Sequence, residues 1–292
     1  MEYLLHLLIF ICFYTLLSQS LNLSAGFTGL ISLAQAGFYG IGAYTTAILS
    51  INYGWPFWIN LPLAMIISGA VAILVSFVAL RTVDDYFIIC TLGIQIILFS
   101  LMNNWMNLTR GPLGMPGIPS IRLFGISIDD KISFLVLSTS FMIIVWWLLS
   151  NMSKSSFGKT LRAINEDEIY VQSIGKNVYK AKVISFTISA ILAAVPGALY
   201  AHYITYIDPT SFTLAESIFI LSIVIIGGMG NLFGSFLAAA FMVLFPEVLR
   251  FVGMPDSTAA NMRQIIYGII LIFLMLKQQN SWALILFKKR RK

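Results

Sequence analysis

"FWINLPLAMIISGAVAILVSFVAL", residues 57 to 80, decides the fold class. The run contains no charged residue and exceeds the roughly 20 apolar residues that a helix needs to cross a bilayer. Because lipid offers the backbone no hydrogen-bond partners, such a run must be helical, and the alternation of a membrane β-barrel is absent. The sequence therefore predicts a membrane-spanning helix here.

The rest of the chain repeats this pattern. The protein is 59% hydrophobic and only 10% charged, with a mean hydropathy of +0.88, whereas soluble domains carry roughly a quarter charged residues. We predict an all-α polytopic membrane helix bundle of about eight or nine segments, as one transmembrane domain over residues 1 to 292. The further apolar runs cover residues 3–21, 30–51, 86–102, 132–150, 183–203, 215–229, 232–249 and 265–287.

Glycine interrupts the apolar pattern twice. "GGMGN", residues 227–231, separates two short runs, which are either two spans or a broken, re-entrant pair. "GFTGLISLAQAGFYGIGAY", residues 26–44, is a similar segment near the other end of the chain. Interrupted hydrophobic segments indicate the central pathway of a transporter. The alternative is that these glycines only allow helices to pack closely.

Basic residues predict the orientation. The loop from 151 to 182 holds six of them, and residues 288–292 are all Lys or Arg. The positive-inside rule places both segments, and hence the C-terminus, in the cytoplasm. Residues 103–131, rich in Gly, Pro and Asn, then lie outside, where we expect a structured cap.

No constellation for catalysis is visible. His6 and His202 have no Cys or Glu at ligand spacing, so we predict no metal and no cofactor. "GKT" at 158–160 resembles the end of a nucleotide loop, but Ser153 stands where the motif needs glycine. Without paired carboxylates or a nucleophile turn, we predict a protein that is not an enzyme and has no catalytic residue.

Polar side chains inside the apolar runs indicate a route for a small polar solute. Thr91 and Gln95 lie one helical turn apart, where they either line a path together or bind helices to each other. Glu216 either binds a substrate amine or complements a helix dipole. No intramembrane carboxylate or base offers a clear proton or sodium site, which favours a subunit driven by a partner. The candidates to line the pathway are Ser32, Gln35, Tyr44, Thr91, Gln95, Glu216, Gly227 and Gly228.

"FGKTLRAINEDEIYVQSIGKNVYKAK", residues 157–182, is the one strongly polar stretch. Ser155 or Ser156 can cap a helix here, and Gly175 can end it. One face is apolar, so a short amphipathic cytoplasmic helix is expected. Its acidic centre disfavours an anionic membrane surface, which leaves protein as the partner. The apolar positions are Leu161, Ile164, Val171 and Ile174, and the acidic ones Glu166, Asp167 and Glu168.

Four blocks of sequence carry a resemblance. They are "GLISLAQAGFYGIGAYTTAIL", "LRTVDDYFIICTLGIQIILFSLMNNWMNLTRGPLGMPGIP", "FGKTLRAINEDEIYVQSIGKNVYKAKVISFTISAILAAVPGALYA" and "IGGMGNLFGSFLAAA". In this order they resemble the permease subunits of branched-chain amino-acid ABC importers, the LivH/LivM family, and the second block is more similar to the LivM side. The resemblance covers about residues 22 to 250.

The resemblance implies a multi-pass inner-membrane permease that forms the pathway for branched-chain or related amino acids. Its expected partners are a second related permease, two cytoplasmic ATPases that hydrolyse ATP, an extracytoplasmic solute-binding protein and membrane lipid, with no nucleic acid. A coupling helix docks on the ATPase in such importers. The residues that match this block here are Gly158, Arg162, Ala163, Glu166, Asp167, Glu168 and Gly175.

This chain departs from the family pattern at three places. Gln35 stands where a His is common, residues 82–84 replace a usual Gly and Asp, and Arg110 replaces a second Gly. These positions leave the solute open, so importers of urea and short-chain amides stay as alternatives. A secondary transporter acting alone and a membrane-embedded transferase that uses the outer loop are the rivals from other classes.

Overall fold

A computed structural model of the chain describes residues 2–82, 85–123, 126–128 and 130–251. Over these residues the protein is almost entirely helical. The α-helices are α1 (Glu2–Asn22), α2 (Gln35–Tyr53), α3 (Phe57–Ala79), α4 (Asp85–Asn104), α5 (Met106–Thr109), α6 (Lys131–Lys154), α7 (Ser156–Glu166), α8 (Glu168–Ser173), α9 (Val178–Ile204), α10 (Leu214–Gly227) and α11 (Leu232–Phe251).

The remaining elements are short. A π-helix (Leu23–Phe27) continues α1, and 3-10 turns cover Gly111–Leu113 and Pro209–Phe212. The strands are β1 (Met115–Pro116), β2 (Arg122–Leu123), β3 (Ile126–Ser127) and β4 (Tyr206–Ile207). The chain forms two compact units, Met1–Ala239 and Ala240–Lys292. The second is described only over residues 240–251, the end of α11.

Helices occupy the first eight of the predicted apolar runs. The ninth run, 265–287, and the basic residues 288–292 lie outside the described residues. Five of the described helices are long and apolar enough to cross a membrane, which confirms the prediction of a membrane helix bundle. They are Glu2–Phe27, Phe57–Ala79, Asp85–Asn104, Lys131–Lys154 and Val178–Ile204.

α1 and α9 are the most buried of these five helices. Two thirds (67%) of the apolar window of each is buried, against 33% in α3 and 28% in α4 and α6. The outer helices expose large apolar side chains such as Leu74, Ile97 and Val136. Such faces suit contact with lipid, because acyl chains are as apolar as the side chains themselves.

Glycines bring α2 and α9 into backbone contact. A Cβ on Gly42 would overlap the carbonyl oxygen of Ala194, and one on Gly197 would overlap that of Tyr39. Small residues allow such close crossings in membrane helices. The packing role considered for Gly42 is therefore confirmed.

Gly42→Leu should consequently destabilise the bundle severely. Overpacking a well-packed core costs about 1–3 kcal/mol or more, and here the clash is with backbone that cannot move aside. We expect little folded protein in detergent and a much lower melting temperature. Gly93→Leu in α4 is the matched control, since nothing lies within 4 Å of a Cβ there. Equal stability of the two variants would contradict this packing.

The described residues of the loop from 103 to 131 pack against the end of α9. β1 pairs antiparallel with β4, with Met115 opposite Ile207, and β2 pairs with β3. The amides of Gly117 and Ile118 both donate to the carbonyl of Thr205. The Nδ1 of His202 donates to the carbonyl of Pro119 at 2.7 Å. The described part of this loop is structured, as predicted; residues 124, 125 and 129 lie outside the described residues, and the side of the membrane stays a prediction.

Candidate functional site

The polar stretch that follows α6 forms two helices. Ser155 caps α7, accepting a hydrogen bond from the amide of Gly158 at 3.3 Å. Asp167 then leaves the helical conformation (φ −157°, ψ 101°), and its carboxylate caps α8 by accepting from the amide of Tyr170 at 2.9 Å. The predicted amphipathic helix is therefore present as α7, but its predicted continuation to Gly175 is wrong. An aspartate in the middle of the stretch starts a new helix, because its side chain competes for backbone amides.

The two helices bury the predicted apolar face only in part. Leu161, Ile164 and Val171 are buried. Ile174 is 57% exposed, so its predicted place on the buried face is wrong: it follows the last turn of α8, next to Gly175 with φ +79°. Ile169 is 79% exposed and Tyr170 is exposed beside it. Ile169, Tyr170 and Ile174 together form an uncovered apolar patch, called here the α8 patch.

The three acidic residues of the stretch do different things. Glu168 pairs with Lys182 at 2.5 Å, which fastens α8 to the first turns of α9. Asp167 serves as the cap of α8. Glu166 is exposed and makes no side-chain hydrogen bond or ion pair with the described residues. Of the three, Glu166 alone has its charge free for a partner.

α7 lies directly on the break that follows α1. The guanidinium of Arg162 sits over the ring of Phe27 at 5.1 Å, a cation–π contact. The Nδ2 of Asn165 donates to the carbonyl of Gly26 at 3.3 Å. Gly29, with φ +77°, passes so close to Asn165 that a Cβ there would meet its Oδ1 at 2.5 Å. α7 therefore contacts residues 26–29 directly.

Asn22 joins the same break to the turn between α10 and α11. Its Nδ2 donates to the Ser235 hydroxyl at 2.8 Å and to the carbonyl of Asn231 at 3.1 Å. Its Oδ1 accepts from the amide of Gly230 at 2.7 Å. Gly26 lies against Asn22 and Gly230 with no space for a Cβ. We call this arrangement the glycine junction: Asn165, Gly26, Asn22, Gly230, Asn231 and Ser235.

A second group of polar side chains holds the segment between the π-helix and α2. Residues 29–34 are not helical, which corrects the predicted run from residue 30: α2 begins only at Gln35. The amide of Leu33 donates to the Thr91 hydroxyl at 3.1 Å, and that of Gly37 donates to the Gln95 Oε1 at 2.7 Å. α4 thus supplies the partners that this irregular backbone needs.

The remaining polar groups of this segment are also bound. Gln95 further donates to the carbonyl of Phe212 at 2.8 Å, and Gln35 donates to the Ser20 hydroxyl at 2.6 Å. The Ser32 hydroxyl accepts from the amide of Ala34 at 3.2 Å. Gln35, Thr91 and Gln95 are buried, and each bonds one element to another. For Thr91 and Gln95, these contacts favour the interpretation in which they bind helices to one another.

The other pathway candidates lie apart from that group. Gly227 packs against the backbone of Gly234, and Gly228 with φ +87° ends α10, so both lie in the turn beside the glycine junction. Tyr44 is buried against Phe212, with ring centroids 5.9 Å apart. Glu216 lies in the first turn of α10, half-buried, and accepts a hydrogen bond from Tyr14.

Sequence reasoning gave no role to most of the glycine junction. In the sequence, Asn22 is a polar residue that ends an apolar run, and Asn165 is part of the polar stretch. The available signal was that asparagine is costly in an apolar environment unless all its groups are bonded. The partners of Asn22 lie more than 200 positions further along the chain. No local sequence pattern acts over such a separation.

Comparison with known proteins gives one family. The model described as "Branched-chain amino acid transport system / permease component" matches residues 3–275. No solved structure matches the chain.

Individual relatives agree with this match. The high-affinity branched-chain amino acid transport system permease protein LivM of Salmonella typhimurium is 36% identical over 260 residues, and that of Escherichia coli is 35% identical. Each alignment covers 81% of this chain and 61% of the relative, so the chain spans about three fifths of the length of these proteins. The guanosine ABC transporter permease protein NupQ of Bacillus subtilis is 26% identical over 77% of this chain and 75% of its own.

Proposed function

Because the chain belongs to the family of permease components of branched-chain amino acid transport systems, we propose that it is a permease subunit of an ABC importer. It forms part of the pathway that carries branched-chain or related amino acids across the inner membrane. The higher identity to LivM than to the guanosine permease supports an amino-acid solute over a nucleoside.

The observation that best supports this proposal is the hydrogen bonding of the glycine junction. It joins the α7–α8 segment, the break after α1 and the turn between α10 and α11 through hydrogen bonds of 2.7 to 3.3 Å. Irregular backbone inside a membrane protein is tolerated where it is buried in protein or lines a cavity. A force applied to α7 and α8 therefore reaches both interrupted segments without passing through a long helix.

Two cytoplasmic ATPases supply that force in our proposal, and the chain itself catalyses nothing. The α8 patch and the free charge of Glu166 support docking of a protein there, because an exposed apolar patch rimmed by polar residues is typical of an interaction site. When the ATPases close on ATP, they displace α7 and α8. The glycine junction passes this displacement to the interrupted segments, so that the pathway opens alternately to the two sides of the membrane. Gly158, Arg162, Ala163 and Gly175 shape the docking segment.

The topology completes the proposal. With 14 residues, α10 is about 21 Å long, shorter than the roughly 30 Å hydrocarbon core. This length supports a broken, re-entrant pair over residues 215–249, in a chain of eight to nine hydrophobic segments with a cytoplasmic C-terminus. The loop 103–131 then faces an extracytoplasmic solute-binding protein, and a second related permease lies beside the chain.

Reconstitution tests this function. Co-expressed with its sister permease and two ATPases in proteoliposomes, the chain should take up labelled leucine only with ATP and the solute-binding protein present. The same chain reconstituted alone should show no uptake. Gradient-driven uptake by the chain alone would show a secondary transporter instead. Competition by urea or guanosine, but not by valine, would assign another solute.

A further inference from the structure

The N-terminus of α2 is bonded to side chains of two other helices. Its N-cap residue is Ala34, whose side chain cannot accept from the first amides of the helix. The amide of Ala36 donates instead to the hydroxyl of Ser217 in α10 at 3.0 Å. The amide of Gly37 donates to the Oε1 of Gln95 in α4 at 2.7 Å. These two amides are therefore bonded only while α4 and α10 keep their present positions.

Gln95 also binds the turn that precedes α10. Its Nε2 donates to the carbonyl of Phe212 at 2.8 Å, and its Oε1 accepts a second, longer hydrogen bond from Ser217 at 3.4 Å. Gln95, Phe212 and Ser217 are all fully buried. We call this hydrogen-bonded group the α2 latch: Ala36, Gly37, Gln95, Phe212 and Ser217. All of its bonds join neutral groups, so no ion pair has to be separated when they break.

α10 joins the α2 latch to the glycine junction. Ser217 lies in the first turn of α10, and the C-terminal end of the helix leads into the turn that carries Gly230, the partner of Asn22. Between these ends α10 contains no Gly or Pro before its last residue, so we expect it to move as one rod of about 21 Å. Gly228 follows α10 with φ +87°, and the 3-10 turn Pro209–Phe212 precedes it. Connectors that can absorb a rotation therefore lie at both ends.

We propose that α10 carries the displacement of the glycine junction to the α2 latch: movement of the turn at Gly230 withdraws Ser217 from the amide of Ala36 and frees the start of α2. This inference rests on the proposed function, because the partner ATPases supply the displacement. A local N-cap would bond the first amides of α2 whatever the position of α10. Capping from α4 and α10 instead makes the irregular segment 29–34 and the start of α2 depend on where α10 lies. Ser217 and Gln95 are thus positioning residues for the transport step.

Hydrogen exchange of two backbone amides tests the α2 latch in the assembled importer. The amides of Ala36 and Gly37 lie in the first turn of α2, where the helix itself offers them no acceptor, so the α2 latch supplies their hydrogen bonds. A non-hydrolysable ATP analogue should raise their exchange rates by about tenfold or more, because each loses one hydrogen bond. The amide of Phe38 is the internal control. It donates to the carbonyl of Ala34 at 3.2 Å, so its exchange should stay slow.

The same measurement separates this inference from the proposed function. A contact that only braces the fold would give equal exchange at Ala36 and Gly37 with and without the analogue. That result, in an importer that takes up leucine, overturns the inference and leaves the transport function standing. Exchange that responds to the analogue in a complex without leucine uptake would refute the proposed function and support the α2 latch.

Two buried serines of α10 give matched variants. Ser217→Ala removes the acceptor of the Ala36 amide, so exchange there should rise by about tenfold without nucleotide. Ser222→Ala is the control, because the Ser222 hydroxyl donates to the carbonyl of Ile218 within α10 at 2.7 Å. It should leave exchange at Ala36 at the wild-type rate and preserve the response to the analogue. Asn22→Leu should keep the slow exchange but lose that response. A wild-type response in Asn22→Leu would contradict transmission through α10.

Discussion

Ile169→Asp is expected to lower leucine uptake by the assembled importer by about tenfold or more, since losing one apolar anchor of an interface costs about 2 kcal/mol. Ile169 is the most exposed large apolar side chain among the described residues, at 79%. A charge there costs the free chain little, because substitutions at exposed positions change stability by only about 0.5 kcal/mol. It would, however, be buried without a partner once an ATPase covers the α8 patch.

Two measurements separate docking from folding. The variant should be inserted and folded as well as the wild type, yet it should retain less ATPase on purification. Asn151→Asp is the matched control, since it adds one negative charge to the exposed last turn of α6, outside the α7–α8 segment. Unchanged ATPase retention and uptake in Ile169→Asp would remove the α8 patch from the proposed interface.

Asn22→Leu is expected to uncouple the importer. The substitution leaves the Gly230 amide without its partner and removes the bonds from Asn22 to the Asn231 carbonyl and the Ser235 hydroxyl, which stay bonded to each other. Each lost hydrogen bond costs about 0.5–1.5 kcal/mol, so the glycine junction should separate. ATPases should still bind, because the α8 patch is unchanged. We expect ATP hydrolysis to continue while uptake per assembled complex falls by about tenfold or more.

Asn60→Leu is the control for stability alone. Asn60 is as buried as Asn22 and also donates two hydrogen bonds, to the Ser50 hydroxyl and the Trp55 carbonyl, both at 2.9 Å. It makes no contact with the glycine junction. The two variants should therefore lose comparable thermal stability, but only Asn22→Leu should lose the link between ATP hydrolysis and uptake. Equal uptake per complex in the two variants would show that the junction transmits nothing.

Several features of the site follow from local sequence. The sequence predicts Ser155 or Ser156 as the cap of the polar segment and Gly175 as its stop; the structure has Ser155 as the cap of α7 and Gly175 after the end of α8. The glycine at position 42 was predicted to allow either close packing or an unwound pathway, and the contact with Ala194 decides for packing. Arg110 has φ +58°, the left-handed conformation that favours glycine, and it stands where the family resemblance places one.

Other features could not be predicted from local pattern. The amphipathic stretch 157–182 predicts one helix, because periodicity does not reveal that the Asp167 side chain caps a second one. The sequence allows Thr91 and Gln95 either to line a pathway or to bind helices to one another. Both roles place polar side chains at the same helical spacing, so the pattern does not distinguish them. Only their bonds to the amides of Leu33 and Gly37 distinguish the two.

The sequence by itself determined the class of this protein: its apolar runs require helices in lipid, and its four blocks match one permease family. Only the tertiary structure decided that the two glycine breaks meet, with Asn22 bonded to the turn at Gly230 and Asn165 bonded to Gly26. The reason is physical. The hydrophobicity of a segment depends on its own residues, so the local sequence reveals it. A buried polar group instead forms its hydrogen bonds with whichever distant segment packs against it.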